Sequence, residues 1–155
     1  MKFVKGNILD AEYGVIANPV SCIIQEWTGI SQDIRLKYPI AFSEYKNIGI
    51  RVPNRVNRLG LCQLVEAIQR NLFIANMFIA WGKLTVEKFS GDSNTRSPIE
   101  INSVAASASG LKNWLRSIDI KDFPVYFPHN DIFSDSKIKA VIKYHLPDAV
   151  MVRQL

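Results

Sequence analysis

Cysteine and histidine are scarce: Cys22 and Cys62 are the two cysteines of 155 residues, and His129 and His145 the two histidines. They are not set at metal-ligand spacing, so a zinc-stapled or disulfide-dense scaffold is excluded and reduced, buried thiols are expected. Long apolar runs are missing too. The longest, over residues 72–81, is interrupted by Asn76 and is too short to span a bilayer. Lys2 and Lys5 lead into Gly6-Asn7 rather than an apolar stretch, which does not read as a signal peptide. A cytoplasmic protein without membrane attachment is the expectation. Nor is there a Pro/Ser-rich or single-sign stretch of the kind that forms a disordered tail.

What is present is ordinary for a globular domain: 48% hydrophobic and 21% charged residues, enough for residues 1–155 to form one domain with one core. The formal net charge of +5 favours anionic partners without naming one. Apolar runs rich in β-formers alternate with segments of helical period, the pattern of an α/β domain. Strands are expected over residues 2–5, 14–17, 61–68, 72–79, 124–127 and 149–153.

The best helix covers residues 102–118, where Val104, Ala108, Leu111, Leu115 and Ile118 recur at steps of four and three to make one apolar face. A shorter helix over residues 28–37 carries Ile30 and Ile34 and stops at Tyr38-Pro39. Others are expected over residues 41–46 and 136–144, the latter with Ile138, Val141 and Ile142 on one face. Residues 51–60 and 82–98 read as loops, the second long for a compact domain.

Ligands of open α/β sheets sit beyond the carboxyl ends of the strands. The residues expected there are Gly6-Asn7-Ile8, Asn18-Pro19-Val20-Ser21 and Pro128-His129-Asn130-Asp131, with Asn76 inside its own run. They are mostly neutral hydrogen-bonding groups, which suit a nucleoside or ribose better than a metal ion. The alternative for the same residues is plain turn chemistry, which Asn and Gly also serve.

Two stretches carry a family resemblance. Phe3-Val4-Lys5-Gly6-Asn7-Ile8-Leu9 and Val15-Ile16-Ala17-Asn18-Pro19-Val20-Ser21-Cys22 resemble the opening of the macrodomains, the ADP-ribose-binding fold, in the branch of ADP-ribosyl glycohydrolases found in bacteria and tailed phages. The resemblance implies a three-layer α/β/α fold with a mixed central sheet. It also implies a cleft for ADP-ribose or an ADP-ribosylated macromolecule, needing neither cofactor nor metal. By its motifs the ligand-binding residues are Asn7, Ile8, Asn18, Ser21, Trp27, Thr28, Gly29, Asn130, Ile132 and Phe133. Trp27 itself has two readings, core packing as the more economical one and stacking on a ligand ring as the other.

The chain departs from that pattern at several of these positions. Asn7 stands where relatives have an acidic residue that accepts the adenine amino group, and Ser21 replaces a second asparagine. Ile24 and Trp27 stand where glycines are usual, and Thr28 falls where DNA-type glycohydrolases carry a lysine; a hydroxyl cannot supply a catalytic amine. Relatives follow the strand at 124–127 with a glycine-rich phosphate loop, whereas residues 128–141 contain no glycine.

His129 and Asp131 are then the remaining candidates for acid–base work, against the blander reading of a surface histidine beside a helix start. The combined expectation is binding of ADP-ribose or a related nucleotide, with at most weak or altered ADP-ribosyl hydrolysis. The alternative is a non-catalytic, degenerate macrodomain that binds protein or nucleic acid, as in phage–host conflict. Arg51, Arg55 and Arg58 form the basic cluster that would meet nucleic-acid phosphates, with a solvated loop as the plain reading.

Overall fold

In the computed structural model, which describes residues 1–86, 99–118 and 122–155, six strands form one mixed sheet. They are β1 (Lys2–Gly6), β2 (Gly14–Ser21), β3 (Cys62–Ile68), β4 (Leu72–Ala80), β5 (Val125–Pro128) and β6 (Val150–Gln154), in the order β1-β6-β5-β2-β4-β3. Among these six strands β3 alone runs antiparallel to its neighbour. The helices are α1 (Ile30–Lys37), α2 (Pro39–Lys46), α3 (Ile48–Arg51), α4 (Ile101–Ser117) and α5 (Ser136–His145).

Alternation along β2 places its side chains in two cores. Val15 and Ala17 join α4 and α5 through Val104, Ala108, Leu111, Ile138 and Ile142, while Ile16 and Val20 join Ile34, Ala41 and Tyr45 of α1 and α2. The result is the expected three-layer α/β/α arrangement. Among the described residues, no helix is long and apolar enough to cross a membrane.

The strand at residues 14–17 extends four residues further, to Ser21, so Asn18 lies inside β2 rather than beyond its end. Pairing with β4 continues through Asn18↔Asn76 and Pro19↔Met77. The Val15 N–H donates to the Pro124 oxygen at 2.8 Å, so by alternation the nitrogen of Pro19 also faces the β5 side. There β5 pairs β2 only at Val15 and Ile16, and a proline without an N–H breaks no ladder.

Residues 51–60 are not a plain loop. They hold the end of α3 and a 3-10 turn, Arg55–Arg58, begun by Asn54, whose side chain accepts from the Val56 N–H. The arginine cluster is split by this turn. Arg51 and Arg55 are exposed, but Arg58 is buried and its Nε donates to the Val52 oxygen at 2.9 Å. Arg58 is therefore spent on the protein's own backbone and is not free to meet a phosphate. The expected loop at residues 82–98 lies outside the described residues from position 87 onward.

Candidate functional site

The carboxyl ends of β2, β5 and β6 open into a cleft of about 380 Å³, within the usual range for small-molecule sites. Its walls bring together Thr28 and Gly29, the first turn of α1 with Ser31 and Asp33, residues 128–132, and Gln154 at the end of β6. Thr28, Gly29, Asn130 and Ile132 thus share one cleft, together with His129 and Asp131. Leu84 closes another part of the rim.

Gly29 precedes α1 with φ 57° and ψ −131°, a backbone conformation that favours glycine. No side chain caps the helix, so the first-turn N–H groups beside the cleft carry the partial positive charge of a helix start. Two carboxylates, Asp33 in that turn and Asp131 across the cleft, oppose it as partners for an anion.

Asn18 lies beneath this floor, fully buried. Its Oδ1 accepts from Ser31 Oγ at 2.6 Å and its Nδ2 donates to Asn76 Oδ1 at 2.9 Å. The Asn76 amide in turn donates to the Ala41 oxygen and to Gln63 Oε1, both at 3.1 Å. Both asparagine side chains are consumed by the core, and Asn18 reaches the cleft only through Ser31.

Ser21 is consumed likewise. Its hydroxyl donates to the Trp81 oxygen at 3.1 Å and lies 3.3 and 3.1 Å from the N–H groups of Ile23 and Ile24, from which it accepts. Trp27 is turned inward, edge-on to Phe42 at 5.0 Å and tilted against Tyr45 at 5.1 Å. Burial of its large apolar ring against two aromatics explains why it does not stand in the cleft to stack on a ligand ring. Among the described residues its indole N–H has no hydrogen-bond partner.

The hydroxyl of Tyr45 donates to the Ser21 oxygen at 2.6 Å, and burial pushes its phenol up to about 12. Burial also pushes the Cys22 thiol up to about 11, partly offset by nearby Arg58.

The glycine-free loop after β5 closes on itself. Asn130 Oδ1 accepts from the N–H groups of Ile132 and Phe133 at 3.1 and 3.0 Å, which occupies donors that a phosphate would otherwise use. Phe133 is fully buried, edge-on to Phe127 at 5.1 Å. His129 packs edge-on against Phe3 at 6.0 Å, and its backbone N–H donates to the Val152 oxygen at 2.8 Å. Asp135 caps α5, its side chain accepting from the N–H groups of Lys137 and Ile138. Among the described residues, no group of three or more His, Cys, Asp or Glu side chains could hold a metal ion.

Asn7 and Ile8 lie at the end of β1, where Gly6 is the register partner of Gln154. Asn7 Oδ1 accepts from the Leu9 N–H at 3.0 Å, which begins a 3-10 turn over Ile8–Asp10. Ser31, Asp33, Leu84 and Gln154 are cleft residues that the motifs did not point to. Gln154 had one available signal: it ends a strand next to β1.

No protein-family model matches the sequence, and no curated protein matches it. Solved structures do. A protein of unknown function from Bacteroides thetaiotaomicron is 20% identical, with TM-score 0.75 over 99% of this chain and 97% of its own. A macrodomain protein from Streptomyces coelicolor is 14% identical, with TM-score 0.73 over 98% of this chain and 97% of its own. DarTG of Thermosipho africanus, solved in complex with ADP-ribose, is 9% identical, with TM-score 0.67 over 99% of this chain and 42% of its own. At such identities the likeness concerns the path of the chain, and that path is the macrodomain fold.

Proposed function

We propose that this protein binds ADP-ribose or a related nucleotide in the cleft at the carboxyl ends of β2, β5 and β6, with at most weak or altered hydrolysis. The observation that carries the reading is the uncapped start of α1 at Gly29, opening into a concave site of ligand size. The neighbour solved with ADP-ribose shares the fold and supports the ligand class. The residues in the cleft do not assemble catalytic machinery. Among the described residues no hydrogen bond links His129 to Asp131, and Thr28 supplies no amine.

A non-catalytic module that binds a macromolecule is the second reading. It is favoured by the Asn130 side chain, which already occupies the backbone donors of Ile132 and Phe133 at the cleft. Calorimetry with ADP-ribose separates the two. The nucleotide reading expects saturable heat that Thr28→Trp abolishes by filling the cleft while leaving the melting temperature unchanged. Absence of heat at millimolar ADP-ribose sinks it and leaves the macromolecule-binding module.

A further inference from the structure

We propose that Gln154 is a built-in competitor for the base of the nucleotide: its carboxamide occupies the donor–acceptor pair formed by the Ile8 N–H and Asn7 Oδ1. The inference rests on the nucleotide reading above and concerns what Gln154, a residue of the cleft wall, does at the adjoining Asn7–Ile8 corner.

Gln154 Oε1 accepts from the Ile8 N–H at 2.9 Å, and Gln154 Nε2 donates to Asn7 Oδ1 at 3.2 Å. The polarity of Asn7 is set independently, because the same Oδ1 accepts from the Leu9 N–H at 3.0 Å. One backbone donor and one side-chain acceptor therefore stand side by side, and a group with an acceptor next to a donor satisfies both. A primary carboxamide has that edge. So does adenine, whose N1 accepts beside an amino group that donates; hypoxanthine presents the reverse, a donating N1–H beside an accepting oxygen.

The carboxamide is placed to compete and free to leave. Register pairing of Gly6 with Gln154 sets the glutamine beside the Asn7–Ile8 corner, and Gln154 forms part of the cleft wall. Its side chain is exposed, so rotation about its own bonds opens the corner without moving β6. An adenine base entering the corner exchanges two protein–protein hydrogen bonds for two of the same kind and gains little net affinity from them. Removing the glutamine leaves the same two groups in water, and the base then gains their full worth. A base with the reversed edge gains nothing in either case.

The test compares the parent protein with Gln154→Ala by calorimetry against ADP-ribose, AMP and IMP. Amide hydrogen exchange at Ile8 is followed in parallel without ligand. The expected result is faster exchange at Ile8 in the variant, about tenfold tighter binding of ADP-ribose and AMP, and no gain for IMP. Unchanged exchange at Ile8, equal affinity of the two proteins for AMP, or an equal gain for IMP overturns the competitor role while the nucleotide reading stands. Absence of binding of all three ligands to both proteins overturns the competitor role and the nucleotide reading together.

Discussion

Asn18 Nδ2 donates to Asn76 Oδ1 at 2.9 Å, joining β2 to β4 through the side chains of two residues that are also register partners in the sheet. Both are fully buried. Ser31 extends the chain of hydrogen bonds to the first turn of α1, while Ala41 and Gln63 extend it to α2 and β3. The cleft floor is thus held from below by a polar network in a low-dielectric core, where each bond is strong and each missing partner expensive.

Asn18→Ala leaves Asn76 Oδ1 without its donor and Ser31 Oγ with only the longer bond to the Pro19 oxygen at 3.4 Å, and is expected to lower stability by about 2–4 kcal/mol. Urea denaturation gives the value. A double-mutant cycle with Asn76→Ala is expected to return a coupling of about 1–3 kcal/mol, and additive losses would show that the two asparagines act separately.

Tyr45 and Cys22 predict an alkaline limit to stability. Their folded values are about 12 and about 11, against ordinary values of 10.0 and 9.0. The unfolded chain therefore loses these protons first and binds fewer of them than the folded chain. Stability from this source is complete below about pH 9 and falls as pH rises toward about 12. Urea midpoints across that range should decline. Tyr45→Phe should start about 1–3 kcal/mol lower at pH 8, because the hydroxyl no longer reaches the Ser21 and Ile24 oxygens, and should then decline less steeply. Identical slopes in the two proteins would rule out Tyr45 as a source.

Gly14 and Gly6 should respond differently to alanine. Gly14 has φ 118°, and a Cβ there would strike the Pro124 oxygen and come within 2.9 Å of Pro124 Cγ. Gly14→Ala is expected to cost about 3 kcal/mol or more, since both the backbone conformation and the contact with Pro124 must change. At Gly6 a Cβ meets nothing within 4 Å, and Gly6→Ala should stay within about 0.5 kcal/mol. Thermal melts of the two variants decide this.

Arg58 should behave as a core residue and its neighbours as surface residues. Arg58 Nε donates to Val52, and Gly49 makes room for its guanidinium, where an added Cβ would lie 3.0 Å from the guanidinium nitrogen Nη2. Arg58→Ala is expected to cost about 2–3 kcal/mol through lost packing and a lost charge-assisted bond. Arg51→Ala and Arg55→Ala should each change stability by less than about 0.5 kcal/mol. Equal effects at the three positions would contradict this division.

Much of the scaffold was legible because periodicity is a local property. The apolar face of α4, the step from Tyr38 to Pro39 between α1 and α2, and the six β-rich runs all appear within one residue or a few of their expected places. The exception is instructive. Asn18-Pro19 has the composition of a strand end, yet β2 continues through it because β4 supplies partners on one side and β5 has stopped on the other. Arg58 was misplaced, and Trp27 was left with two readings of which packing holds, for a related reason: residue type alone does not tell whether a ring or a guanidinium turns inward.

The residue order dictates where strands and helices form, that β2 and β5 end near polar segments, and that the segment after β5 has no glycine for an open phosphate loop. Folding determines which polar groups are spent and which face the cleft. Asn18 meets Asn76 across 58 positions, and Asn7 meets Gln154 across 147. Backbone preference acts over a few residues, whereas a hydrogen-bond partner is whatever the sheet brings alongside. The same asparagine can therefore be a ligand group or a core strut until its distant neighbour is in place.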